Sequence, residues 1–345
     1  MKRDKTTQQH LRFIDLFCGV GGFRIAASNA AKSAGFVPTC VLSSDIDEEC
    51  QRVYAANFGE TPQGDITEIH ADDVPDHHLL LAGFPCQPFS IIGQRKGFED
   101  ARGTLFFEIA RLLEAKRPAA FVLENVKLLV GHNRGETLRR IMEVLRELGY
   151  YCDFRVLNAL DFGLPQKRER VFIVGFSNPT NFYWPEENIP MASLTSILED
   201  NVPEEFYASD FIRNKRLDKH PITEEPTIWH ENKSGHISAY PYSCALRAGA
   251  SYNYLLVNGE RRLTPREMFR LQGFPDTFEI VSNYSQARKQ AGNSLPVTVA
   301  QAVIENVLRA LFEKKILSNA TDNQRQNRQL TLIDFEKNYH ATTST

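Results

Sequence analysis

The chain reads as an α/β protein built on a doubly wound, mostly parallel sheet, followed by a second, smaller and irregular domain. Three observations predict this. Short apolar runs alternate with amphipathic or alanine-rich stretches through the amino-terminal half, the pattern of successive βαβ units. The first apolar run leads through a glycine loop into a helix, the opening unit of such a sheet. From about residue 177 prolines and aromatics become frequent and the alternation stops, which marks a domain boundary.

Composition sets the outer limits. A net charge of −3 does not announce a nucleic-acid binder, so a basic surface has to come from local segregation. Residues 1–80 hold 7 basic and 12 acidic side chains, whereas residues 81–180 hold 15 basic and 11 acidic. The 6 cysteines, at 18, 40, 50, 86, 152 and 244, form no C-x-x-C pair, so they are expected as reduced thiols with no structural metal. With no apolar leader and no membrane-length run in the sequence, a cytoplasmic protein is expected.

The first strand is expected over 11–17, and Cys18-Gly19-Val20-Gly21-Gly22-Phe23 then turns into a helix over 24–34. The G-x-G-G spacing and Asp15 ahead of the turn favour a cofactor carrying an amine over a dinucleotide pyrophosphate. A second strand, 37–44, ends at Asp45-Ile46-Asp47, where an acid can take both hydroxyls of a ribose with Ile46 on the adenine face. An N-cap run for the helix from Glu48 explains the same spacing equally well. Gly64-Asp65-Ile66-Thr67 supplies a third acid near a strand end, within reach of an adenine amine. Three acids with no basic residue in the loop suit a cationic, phosphate-free nucleoside, and S-adenosylmethionine fits.

The apolar run 79–82 delivers Gly83-Phe84-Pro85-Cys86-Gln87-Pro88-Phe89-Ser90, a thiol between two prolines. Backbone stiffened on both sides holds a side chain at one point, which suits a nucleophile; a buried structural thiol is the ordinary alternative. The zinc-deaminase Pro-Cys-x-x-Cys fails because Phe89 stands where the second cysteine belongs. Residues 91–100, with Gln94, Arg95 and Lys96 between two glycines, read as a lid. A helix at 105–113 and a strand at 119–123 then bring Glu124 to the same sheet edge, where a carboxylate calls for a partner or a proton. After a helix at 137–148 and a strand at 151–156 comes Gln166-Lys167-Arg168-Glu169-Arg170, leading into a strand at 171–174. Arg168 and Arg170 point to one side of an extended chain, able to hold a base carbonyl, a phosphate or Glu124. Beyond the irregular region, which contains Arg247, Thr264-Pro265 opens a helix closed by Gly273. Gln290-Ala291-Gly292-Asn293-Ser294 reads as another glycine turn before an apolar helix over 297–311, and residues 319–329 have the composition of a polar tail.

In this order the segments resemble the motif set of the DNA (cytosine-5)-methyltransferases, most closely the single-chain bacterial enzymes of restriction-modification systems, over residues 13–176 and 262–300. The resemblance implies an S-adenosylmethionine-dependent, Rossmann-like catalytic domain over 1–180 and 286–345, with a target-recognition domain over 181–285. It implies catalysis by Cys86, Glu124, Arg168 and Arg170. Cofactor contacts would come from Phe17, Gly19, Gly21, Gly22, Phe23, Asp45, Ile46, Asp65, Ile66, Pro85, Asn293 and Ser294, and contacts to double-stranded DNA from Ile92, Gln94, Arg95, Lys96 and Arg247. A monomer paired in function with a restriction endonuclease is the usual arrangement. The rival readings are a tRNA cytosine-5 methyltransferase, a nicotinamide-dependent oxidoreductase, against which the G-x-G-G spacing speaks, and a DNA-binding regulator without activity.

Overall fold

The computed structural model describes residues 9–85, 105–221 and 223–317, with backbone alone for 313–317. Cys86, Ile92, Gln94, Arg95 and Lys96 lie outside the described residues. The amino-terminal half runs β1 (His10–Leu16), α1 (Gly22–Ser33), β2 (Val37–Ser44), α2 (Glu48–Phe58), β3 (Leu79–Gly83), α3 (Leu105–Lys116), β4 (Ala120–Val126), the single turn α4 (Leu128–Gly131), α5 (Glu136–Glu147), β5 (Tyr151–Asn158), β6 (Gln166–Lys167) and β7 (Glu169–Phe176). Six of these strands form one sheet in the order β2-β1-β3-β4-β7-β5. The first four are parallel, and β7 is antiparallel to both of its neighbours.

Period-two alternation decides what covers each face. Phe13, Leu79, Leu81, Ala120 and Val122 join a core with the alanine face of α1 and with α9 (Val297–Leu317). Ile14, Leu80, Ala82, Phe121 and Leu123 join the opposite core under α3 and α5. The strand expected to stop at 123 continues to Val126, because β7 pairs with Glu124, Asn125 and Val126 through Phe172, Val171 and Arg170. A pairing partner so distant in sequence leaves no local signature.

The irregular region holds α6 (Asp210–Leu217), β8 (Ile228–Glu231), β9 (Ile237–Tyr240), β10 (Ser243–Cys244) and β11 (Leu255–Val257), followed by α7 (Pro265–Leu271) and α8 (Tyr284–Asn293). A three-stranded antiparallel sheet, β11-β8-β9, surrounds the fully buried Trp229. The two-residue strand β10 pairs with β6 of the amino-terminal half. Ile228, Leu246, Tyr254 and Leu255 belong to the same hydrophobic cluster as α1 and α9, so one core runs through both halves.

Residues 290–293 are not a glycine turn but the last residues of α8. Gly292 serves close approach rather than a turn: a Cβ there would stand 2.5 Å from the Ala248 nitrogen. Within Tyr284–Phe312 an 18-residue stretch has a mean hydropathy of 1.3, so the run passes for a membrane-crossing helix by length and composition. It is two helices, α8 and α9, separated at Ser294–Pro296 and packed into the core.

Candidate active site

Two groups of residues meet at the carboxyl ends of β1, β2, β3 and β4. The first surrounds the glycine loop. Gly19 (φ 52°) and Gly21 (φ 92°) adopt left-handed backbone that other residues rarely take, and a Cβ at Gly21 would collide with the Phe58 ring at 2.2 Å. Asp45 closes this loop: its two oxygens accept the Gly19 amide at 2.7 Å and the Asp47 amide at 2.9 Å. Each carboxylate oxygen keeps a further lone pair. Burial raises the Asp45 pKa. Ile46, beside it, is 70% exposed, an apolar face without a cover. Asp47 takes the capping role, accepting the amides of Glu49 and Cys50 and holding Lys289 of α8 at 2.8 Å.

Asp15 is the least expected of these groups. It is fully buried, and among the described residues its carboxylate oxygens have no well-formed hydrogen bond, only a weak approach from the Arg24 backbone amide. Burial raises its pKa to about 8, against the opposing charge of Arg24. A buried acid so poorly supplied with donors is what an amine-bearing ligand would satisfy, so Asp15, the Gly19 amide loop and the bare Ile46 fit a cationic nucleoside. Asp65 caps a turn through the Thr67 amide at 2.9 Å and stays half-buried. Ile66 does not line the cleft: the same turn drives its side chain into the core, where it is 2% exposed. Phe17 (φ 54°) is half-buried, while Phe23 is buried on α1. Gly22 meets the Leu295 side chain, 3.2 Å from where its Cβ would stand. That contact brings the exposed Asn293 and the half-buried Ser294 up to the glycine loop.

The second group is the carboxylate site. Gly83 pairs with Glu124 across β3 and β4, and Asn125 donates to the Phe84 carbonyl at 2.9 Å, fixing the chain as it enters Pro85. Cys86 follows in sequence. Arg170 Nε donates to Glu124 Oε1 at 2.9 Å, and both side chains are nearly buried, at 13% and 11% exposure. Desolvation raises the Glu124 pKa even though Arg170 and Arg168 pull it down. A carboxyl held ready to carry a proton beside a fixed guanidinium is suited to hydrogen-bonding a ring nitrogen and its neighbouring amine.

Arg168 departs from the expectation that it joins Arg170 in facing a base. Its guanidinium is fully buried and donates to the carbonyls of Leu246 at 2.9 Å, Gly292 at 2.8 Å and Ser294 at 2.6 Å. Those carbonyls lie at the end of α8 and in the irregular region between β10 and β11, distances of sequence that no local pattern reveals. Burial, with the like charge of Arg170, lowers its pKa to about 9. Sequence reasoning missed two further buried polar side chains. Gln166 accepts the Leu246 amide at 3.0 Å and donates to the Leu271 carbonyl at 2.8 Å, and Gln272 donates to the Ala291 carbonyl at 2.7 Å. The only available signal was two glutamines set among apolar residues. Arg247 is exposed, its guanidinium 5.0 Å from the Tyr254 ring centroid.

A doubly wound sheet with an acid-lined cleft and a nearly buried carboxylate–arginine pair at its strand ends defines a Rossmann-like α/β protein. The sequence model of the C-5 cytosine-specific DNA methylases matches residues 11–309. The chain is 56% identical over 294 residues to the type II methyltransferase M.NgoBI of Neisseria gonorrhoeae, covering 84% of this chain and 90% of that one. It is 51% identical over 326 residues to the type II methyltransferase M.HaeII of Haemophilus aegyptius, covering 93% and 98%. Among solved structures, the S. pombe Dnmt2 methyltransferase superimposes with a TM-score of 0.66 at 21% identity, over 89% of this chain and 99% of that one, a likeness of fold. The chain belongs to the C-5 cytosine-specific DNA methylases, as a DNA (cytosine-5)-methyltransferase of the bacterial restriction-modification type.

Proposed function

We propose that the enzyme methylates C5 of one cytosine within a short, specific double-stranded DNA sequence, using S-adenosylmethionine, through a covalent bond from Cys86 to C6 of a base turned out of the helix. The observation that carries this reading is the buried Glu124–Arg170 pair, which stands beside the strand that leads into Pro85-Cys86.

C5 of cytosine is a poor nucleophile. Addition of the Cys86 thiolate to C6 makes C5 enamine-like, which is why a covalent catalyst is needed. Glu124 in its protonated form bonds N3, Arg170 fixes the carboxyl, and together they stabilise the charge that addition pushes into the ring. S-adenosylmethionine, held by Phe17, the Gly19–Gly22 loop, Asp45, Ile46, Asp65 and Asn293, supplies the electrophilic methyl group. Loss of the C5 proton then lets Cys86 leave by elimination. A duplex buries the reacting atoms, so the base must flip, at a cost of a few kcal/mol, which phosphate contacts from Arg95 and Lys96 would offset. Arg247 suits the DNA face of the recognition region. A cognate endonuclease and a monomeric enzyme complete the proposal.

The test is incubation with methyl-labelled S-adenosylmethionine and duplex DNA containing 5-fluorocytosine, followed by denaturing electrophoresis and peptide mapping. Fluorine at C5 blocks elimination, so a labelled adduct at Cys86 is expected, absent in Cys86→Ser. An adduct only on RNA would transfer the reading to a tRNA enzyme, and turnover by pure Cys86→Ser would remove the nucleophile.

A further inference from the structure

The last turn of any helix leaves carbonyls without partners, and the last turn of α8 contains no basic residue to meet them. Here they are capped from elsewhere. Gln272 takes the Ala291 carbonyl, and one Arg168 nitrogen, Nη2, takes those of Gly292 and Ser294. The other terminal nitrogen of Arg168 holds the Leu246 carbonyl, while Gln166, two residues before it, holds the Leu246 amide at 3.0 Å. Both backbone groups of Leu246 are therefore fixed by the segment that also carries Arg170. At Gly292 the two backbones touch, leaving no room for a Cβ beside Ala248. A planar fork reaching three carbonyls has one geometry that satisfies them all, which an ammonium cannot reproduce.

We infer that Arg168 is a positioning residue that locks the end of α8, carrying Asn293 and Ser294, to the recognition segment at Leu246 and Arg247, so that filling the cofactor pocket orders the DNA-reading side. This rests on the assignment above of Asn293 and Ser294 to the cofactor and of Arg247 to DNA. Coupling of this kind requires one element whose state both sites bias, and the Arg168 fork, bonded to both, is that element. Cofactor that draws Asn293 and Ser294 into place tightens the Ser294 and Gly292 carbonyls on Arg168, and the same guanidinium then holds Leu246 more firmly.

The readout is amide hydrogen exchange at residues 246–248 of the full chain, with and without S-adenosylhomocysteine, whose binding is followed separately by calorimetry. In the natural protein the ligand alone, without DNA, is expected to slow exchange there by about tenfold, the ordinary size of a coupling between sites. In Arg168→Met this response is expected to vanish while calorimetry still shows binding, and Arg168→Lys is expected to restore only part of it. Gly292→Ala, which forces the two backbones apart and keeps the guanidinium, is expected to lose the response as well. If Arg168 only cements the fold, the variant amides exchange faster in both states with the ratio between states preserved, and the inference is overturned. Bound ligand with no response at 246–248 in the natural protein overturns it even if the variants fail to fold. Absence of ligand binding in the natural protein is a different failure, that of the cofactor assignment itself.

Discussion

At the scale of single residues, Glu124 and Asp15 are two buried carboxyls with raised pKa values and opposite consequences. Under the proposed mechanism Glu124 would act in its neutral form, which persists below its raised pKa and is lost as pH rises through it. The rate should therefore fall on the alkaline side. Glu124→Gln should lower the single-turnover rate by about 10²–10³, the usual effect of removing a charge-stabilising donor, and should abolish that alkaline limb. Asp15 acts on stability. Unfolded, it ionises near 3.8; folded, it keeps its proton to about 8. Folding thus takes up a proton across that window, and stability falls as pH rises through it. Asp15→Asn should raise the stability of the ligand-free protein at pH 7.5 by up to about 5 kcal/mol and flatten its pH dependence in urea titrations, while weakening S-adenosylhomocysteine binding by calorimetry. A variant no more stable than the natural protein would show that Asp15 is solvated. Cys86 and Glu124 were legible as candidates because residue type and place in the chain suffice to mark them. The role of Arg168 was not, since a sequence shows that two arginines share a side but not which carbonyls, some 80 and 125 residues away, one of them will meet.

At the scale of elements, strands and helices were legible wherever period and caps agree. Thr264 and Pro265 start α7 as expected, and the Thr264–Glu267 capping box is complete. The unreadable part is that Glu267 is fully buried and also grips Arg261 through two bonds of 2.8 and 2.9 Å. One carboxylate serves cap and ion pair together. Glu267→Ala should destabilise by about 3–5 kcal/mol, the loss expected when one partner of a buried pair is removed. Thermal unfolding measures this, with Arg261→Met/Glu267→Leu less affected than the single change. The end of α8 was misread for a related reason: glycine in Gln290-Ala291-Gly292 suggests a turn, whereas its missing Cβ serves a neighbouring backbone.

At the scale of the molecule, the change of composition near residue 177 is real, yet the hydrophobic cluster of α1 and α9 continues without a break into Leu246, Leu255 and Met268. Composition reports where regular alternation stops, not where packing stops. Calorimetric unfolding of the ligand-free protein should accordingly show one transition whose van't Hoff and calorimetric enthalpies agree; two resolved transitions would mean that the regions fold separately. The pairing of α1 with α9 reaches further. Ala26, Ala27, Ala30 and Ala31 are covered by a helix that begins at Val297, and Asn29 bonds Gln301 at 3.1 Å. During synthesis, therefore, the floor beneath the glycine loop stays open until the chain from Val297 onward has left the ribosome. Contacts of such long sequence separation close slowly, so the glycine loop is expected to gain its support only after α9 has emerged and docked on α1.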